Sequence, residues 1–287
     1  MERTVEHGFF ELVERVRPKY SESDAAVRNL NGIERCLKDE FDMDYLAAYG
    51  SSGHGTNISG YSAVDCFAVI HKGRLREKSG ESLLNIRGCL AEHFDDVTVT
   101  KGRPMVSVPF GVSRAERHLI VPAFMSGRMG RHDIYSIPGP NDRWVASCPG
   151  AHSAWINQLN DELNKSLKPF IRVVKAWNYF NTEPLWSFYA ELSAVEFLQK
   201  DGAVVFSMDL KNFFHHMIDK GLEPFPGSKG CTEPVYGTTV ADRNAALDKL
   251  KSAAELADQA RESEVKGNIA DAYYYWRKVF NFRFPSF

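Results

Sequence analysis

The sequence has no apolar run near the ~20 residues that cross a bilayer as a helix, so a helical membrane span is not its organising feature. Neither charge is in excess: 35 Lys and Arg stand against 37 Asp and Glu, a net charge of −2. A chain so near neutrality is not built to coat nucleic acid, and any anion site must come from a local arrangement. Cysteines are few. Cys36, Cys66, Cys89, Cys148 and Cys231 are odd in number, far apart and without a CxxC pair. Neither a disulfide framework nor a zinc site is indicated, and reduced thiols of a cytoplasmic protein are expected. The opening residues, MERTVEHGFFELVERVRPKY, are charged throughout and show no signal-peptide core. What is present is a chain of 287 residues, 44% apolar and 25% charged, long enough for about two domains with cores of their own. Disorder, collagen and coiled coil are excluded as overall descriptions.

Helices are expected over Phe9–Val16 and, beyond Pro18, over a stretch that Ser21, Ser23 or Asp24 can cap. In that stretch Val27, Leu30, Ile33, Leu37 and Phe41 recur at helical spacing. Strands are expected at Tyr45–Tyr49, Val64–Ile70, Val97–Thr100, Val106–Phe110 and His118–Ala123, with a helix over Leu83–Phe94. Glycine and proline mark 126–149 as loop. Beyond it the texture is helical: Ala151–Asn178, Trp186–Gln199, Asp209–Lys220, Ala241–Lys266 and Ile269–Phe280. This pattern implies an α+β fold, a mixed-sheet core with N-terminal helices over 1–150 followed by an all-helical domain over 151–287.

The informative segment is Ala48–Ile70, AYGSSGHGTNISGYSAVDCFAVI. A strand runs into Gly50 and Ser51, a glycine-rich turn follows, and a second strand returns with Asp65 near its start. Glycines let backbone N–H groups approach phosphate oxygens with no Cβ in the way, and the Ser51 hydroxyl can donate as well. A carboxylate on the neighbouring strand suits a divalent ion bridging those phosphates. Most glycine-rich turns are only turns, so the signal gains its weight from what accompanies it.

The order G-S-x-x-x-G-T-x-I, then S-x-V-D, resembles the signature of the polymerase-β-like nucleotidyltransferases. More narrowly it resembles the bacterial cGAS/DncV-like nucleotidyltransferases (CD-NTases) with a SMODS domain. The resemblance continues through His118–Phe124 (HLIVPAF), Tyr135–Pro138 with Trp144 and Pro149, Ile171–Asn178 (IRVVKAWN), Ser187–Leu192 (SFYAEL) and Tyr275–Pro285 (YWRKVFNFRFP). It implies a polymerase-β-like core and a nucleoside triphosphate held with Mg²⁺ or Mn²⁺ in a cleft completed by the helical domain. It assigns Gly50 and Ser51 to the triphosphate, Gly55 and Thr56 to the shape of the turn, Lys175 and Ser187 to the phosphates, and Phe188 to the base.

The departure from that family lies at its acids. The resemblance implies metal ligands at positions 63 and 65 and on the strand ahead of V-P-A. This chain has Ala63, Asp65 and Leu119 there. Two acids one residue apart share a face of a strand, which is why they can share cations. Three readings stand: Ala63 as an inactivating replacement, engineered, in an active parent; a natural nucleotide-binding protein without catalysis; or Glu116 as the missing acid.

Simpler roles stand beside these. Lys175 can be a solvated helix lysine and Ser187 a helix cap, while one of Phe188 and Tyr189 belongs to the core. The aromatics from Tyr273 onward suit a C-terminal clasp. His215 and His216 diverge on a helix and do not suggest a metal. Arg114, Arg117, Arg128 and Arg131 are either steering charge or scattered surface charge. The function the resemblance implies is nucleotidyl transfer onto a hydroxyl with release of pyrophosphate, repeated to make a short linear or cyclic oligonucleotide second messenger in bacterial antiphage defence. A separate effector would bind the product. A regulatory nucleotide-binding protein and transfer to a protein, tRNA or small-molecule acceptor are the alternatives.

Overall fold

The computed structural model describes residues 3–100, 104–111, 116–199, 202–226 and 234–287. Arg114 and Cys231 lie outside the described residues. Two compact units are present: one runs from Pro18 to Trp155, and the other joins the chain through Arg17 to Ile156–Phe225 and Pro234–Phe287. The division therefore falls within 155–156, not at 150, and the first helix belongs with the helical unit, not with the N-terminal half.

The α+β unit is built on the parallel pair β2 (Val64–Ile70) and β5 (Glu116–Met129). Antiparallel to them lie β1 (Met43–Tyr49) beside β2 and β4 (Val106–Phe110) beside β5, with β3 (Thr98–Val99) outermost, giving the order β1-β2-β5-β4-β3. VDCFAVI is apolar almost throughout because β2 is an inner strand covered on both faces. On one face Cys66, Ala68, Ile70, Val106, Val108 and Ile120 pack against α2 (Tyr20–Phe41) and α4 (Ser79–Ala91) through Ile33, Leu37, Leu83, Ile86 and Leu90. On the other, Phe67, Val69, Val121 and Ala123 meet Tyr135. Strand alternation thus assigns Asp65, Leu119 and Val121 to this second face.

The expected loop at 126–149 is instead sheet. β5 continues to Met129 and pairs with β6 (His132–Pro138), which pairs with β7 (Trp144–Ser147). A register shift between Met125 and Gly127 interrupts the alternation, and that irregularity hid the strand. Trp144 ties this hairpin back by donating from Nε1 to the Glu77 carbonyl at 3.0 Å. The second expected helix starts at Tyr20 with Lys19 at its cap, so Ser21 and Ser23 fall inside its first turn and Asp24 just beyond it.

In the helical unit, the helix expected over Ala151–Asn178 is two, α5 (Pro149–Glu162) and α6 (Leu167–Phe180). Asn164 and Lys165 adopt left-handed conformations between them. Four more follow: α7 (Ser187–Leu198), α8 (Phe206–Asp219), α9 (Arg243–Val265) and α10 (Ile269–Val279). α1 (Val5–Val16) buries Phe9 against Phe206, Trp276, Phe280 and Phe284. Its Glu6 accepts hydrogen bonds from the Phe206 and Ser207 N–H groups at 3.1 and 2.9 Å, capping α8. The C-terminal aromatics are the clasp their composition suggests, with Trp276, Phe280 and Phe284 buried.

Candidate functional site

β1 ends at Tyr49, whose partner across the ladder is Asp65. The chain then turns into α3, the single helical turn Gly50–His54, where the sequence suggested only loop. Gly50 has φ +61°, and a Cβ there would stand 3.1 Å from the Asp65 Oδ2. Only glycine lets the turn lie so close against the carboxylate without strain. Gly55 ends the turn at φ +76°, and the Thr56 N–H donates to the Ser51 carbonyl at 2.8 Å, closing the turn over a fully buried Thr56. The rest of the segment is tied down locally. The Ile58 N–H donates to Ser62 Oγ, and Ser59 Oγ donates to Glu22 of α2 at 2.6 Å. Gly50, Ser51, Gly55, Thr56 and Asp65 are therefore one constellation, held by the β1–β2 ladder. Beside Ser51, the Ser52 hydroxyl is buried with no hydrogen-bond partner among the described residues. The repeated serine in GSS was the only signal for it.

The acid positions do not complete a metal site. Leu119 is the direct ladder partner of Asp65, and Ser107 is the partner of Leu119 on its other side. The third acid position is thus beside Asp65, occupied by an isobutyl group. Ala63 immediately precedes β2 and offers only a methyl. Glu116 is not the missing ligand. It falls with His118 and Ile120 on the face covered by α2, where its carboxylate accepts from Asn29 Nδ2 at 3.5 Å. No three His, Cys, Asp or Glu side chains converge on a metal position among the described residues. Mg²⁺ or Mn²⁺ held by a set of carboxylates, as the resemblance implies, does not fit this donor set.

Near Asp65, Arg117 sits two residues before Leu119 on the same side of β5 and is exposed. Arg128 is engaged with Asp133 at 2.7 Å. Further along the face, three phenols meet: Tyr45 and Tyr135 share a hydrogen bond at 2.8 Å, and Tyr49 donates to Tyr135 at 3.2 Å. Burial pushes the Tyr135 phenol up to about 12 and raises those of Tyr45 and Tyr49, so all three stay protonated donors. The i, i+4 spacing of Tyr45 and Tyr49 on one strand face was the available signal.

In the helical unit Lys175 is buried, not solvated. Its Nζ lies 3.3 Å from Glu191 Oε2 on α7, and both side chains are 2% exposed. Lys168, Arg172, Lys175 and Tyr179 recur at i, i+4, i+7 and i+11, one stripe of α6. Burial and the Arg172 charge lower the Lys168 pKa, and burial with the Arg17 charge lowers that of Arg172. The Tyr179 hydroxyl donates to Ser187 Oγ at 3.3 Å. Ser187 is the first residue of α7 and makes no capping bond; Trp186 holds the cap position. Asn178 closes the α6–α7 connection, donating to the Leu185 carbonyl at 2.8 Å and accepting from its N–H at 3.0 Å. Phe188 is half-buried and Tyr189 is the core member of the two. His215 pairs with Asp258 at 3.0 Å.

No family model matches the chain. A probable cyclic nucleotide synthase of Bacillus cereus strain VD146 is 24% identical over 172 residues, which are 58% of this chain and 51% of that protein. The aligned segment thus spans about half the length of this curated relative. The fold is shared throughout with CdnC of Escherichia coli MS115-1, solved with ATP, at a TM-score of 0.72 and 21% identity over 97% of this chain and 98% of that one. Escherichia coli DncV bound to 3′-deoxy GTP superposes at 0.70 with 13% identity, over 95% and 94%. The Bradyrhizobium diazoefficiens CD-NTase CdnG with GTP superposes at 0.67 with 14% identity, over 96% and 98%.

Proposed function

From a chain that folds as the CD-NTases CdnC, DncV and CdnG fold, we propose a nucleotidyltransferase of the oligonucleotide-synthase kind that binds a nucleoside triphosphate and in which metal-dependent transfer is disarmed. The Gly50–Thr56 turn, with Ser51, takes phosphate oxygens through backbone and hydroxyl donors. Lys175, Ser187 and Phe188 are proposed as nucleotide contacts contributed by α6 and α7. The cationic stripe of Lys168, Arg172 and Lys175 supports that assignment, because Lys168 and Arg172, whose pKa values desolvation lowers, are stabilised as cations by an incoming polyanion. The reaction for which such a scaffold is built is nucleotidyl transfer onto a hydroxyl with loss of pyrophosphate. Repetition would build a short linear or cyclic second messenger for an effector in bacterial antiphage defence.

The observation that carries the disarmed reading is the Asp65–Leu119 ladder pair. A replacement at Ala63 alone would leave two acids in the site, whereas Leu119 removes a second independently. This favours a natural nucleotide-binding regulator over a synthase stopped by one engineered change.

The test uses the full chain, Ala63→Asp, Leu119→Asp and the double variant, with labelled ATP and GTP and with EDTA, Mg²⁺ or Mn²⁺. The expected result is nucleotide retention by the unchanged chain without product, and oligonucleotide product only from the double variant. Product from the unchanged chain would overturn the disarmed reading. Failure of both the chain and the double variant to bind nucleotide would overturn the nucleotide assignment itself. Label transferred to protein or tRNA would replace oligonucleotide synthesis with another acceptor.

A further inference from the structure

A second chemical centre lies on the opposite side of the β-sheet from Asp65, where α2 packs on α4. Cys36 of α2 and Cys89 of α4 bring their sulfurs to 3.2 Å. Cys36 is buried, Cys89 is half-buried, and neither is in a disulfide. His93, one turn after Cys89, places its Nδ1 3.4 Å from the Cys36 sulfur and 3.3 Å from the Cys89 carbonyl. Both cysteines and His93 line a hollow of about 600 Å³ with Arg74, Arg76 and Glu92, so small solutes reach the pair. Cys66 and Cys148 are wholly buried in the core instead. Two thiols from different helices in sulfur–sulfur contact, with an imidazole at hydrogen-bond range and an open hollow, are more than packing requires.

We propose that Cys36 and Cys89 are a dithiol oxidised by hydroperoxides to a disulfide that staples α2 to α4. The half-buried Cys89 meets the oxidant. Its sulfur takes the terminal oxygen of the hydroperoxide, the O–O bond breaks, and the thiol proton leaves with the alcohol or water released, giving a sulfenic acid. Cys36 then passes its proton to His93 Nδ1 and attacks the Cys89 sulfur. The S–O bond breaks, and the departing hydroxide recovers the proton from His93 as water. Two thiols are oxidised by two electrons in all, and one peroxide is reduced. The sulfurs must close by roughly 1.2 Å to reach a bond of ~2.05 Å.

Burial, with the Glu40 and Glu92 charges, raises both thiol pKa values, Cys89 to about 12. Both thiols are therefore protonated at neutral pH and Cys89 is slow to meet the oxidant, while His93 serves only the second step by taking up the Cys36 proton. The loop closed between residues 36 and 89 contains β1, the glycine turn and β2. A staple there constrains the unfolded chain over the whole segment that presents Gly50 and Asp65.

The test treats the full chain with hydrogen peroxide or tert-butyl hydroperoxide and maps peptides without reduction. The expected result is a single cross-link joining the Cys36 and Cys89 peptides, a raised Tm, and reversal of both by dithiothreitol. In Cys36→Ser, Cys89 should stop at a sulfenic acid that dimedone labels. His93→Gln should leave that labelling intact and slow the cross-link several-fold. The proposal is overturned if oxidised wild-type chain carries no Cys36–Cys89 cross-link. It is equally overturned if oxidation falls on Cys66 or Cys148 at the same rate. The wild-type peptide map decides the matter even where a variant folds poorly.

Discussion

Gly50 shows how a single hydrogen atom holds a site together. Its left-handed backbone strains any residue with a Cβ, and at 3.1 Å from the Asp65 carboxylate a methyl group would be crowded as well. Gly50→Ala should therefore lower stability by about 1–2 kcal/mol, the cost of a left-handed residue with a Cβ, read from urea denaturation. It should also weaken nucleotide retention beyond that loss, because the turn and the Asp65 carboxylate must shift against each other. Lys175 and Glu191 make the opposite argument, since their worth lies in being together. With both side chains 2% exposed, Glu191→Ala leaves a buried ammonium without its counter-charge and should cost about 3–5 kcal/mol. A combined Lys175→Met, Glu191→Leu chain should recover most of that loss. If the single and double variants unfold at the same denaturant concentration, the pair is not coupled as its geometry requires.

The strands carry their arguments through register. In β5, alternate residues face different surroundings: Leu119 meets Asp65's side, while Glu116 and His118 turn toward α2. His118 is buried, donates from Nε2 to the Ala26 carbonyl at 3.3 Å, and has its pKa lowered by burial. A folded pKa below the unfolded ~6.5 means that the unfolded chain takes up the proton first. Its contribution is intact above that pH and is lost as pH falls below it toward the folded value. Tm should drop between pH 7.5 and 5.5, and His118→Gln should shrink the drop. An unchanged pH response in the variant would assign the acid sensitivity elsewhere.

Across the whole chain, the helical unit is discontinuous in sequence. α1 closes it by inserting Phe9 among Phe206, Trp276, Phe280 and Phe284. Phe9→Ala should cost about 3–5 kcal/mol, as large-to-small changes in an aromatic core do. Hydrogen exchange should rise first in α6, α8 and α10, the helices against which α1 packs. Exchange confined to α1 would mean that it is an appendage, not a closing element.

Much was legible before any coordinates. Apolar periodicity marked β1, β2, β4 and the C-terminal helices to within a few residues, because burial of one face leaves a repeat in the chain itself. The glycine-serine turn was visible because a left-handed bend lying against a neighbouring carboxylate needs residues without side chains. What periodicity could not reveal was anything that depends on a partner distant in sequence. The β5–β6–β7 hairpin hid behind an irregular register, nothing in the residue order paired Lys175 with Glu191, and Cys36 and Cys89 were two unrelated thiols 53 residues apart. Residue order alone determined which side chains exist and how each local segment repeats. Pairing across the ladders and helices decided which of them meet, since contact energy depends on distance in space and not on distance along the chain.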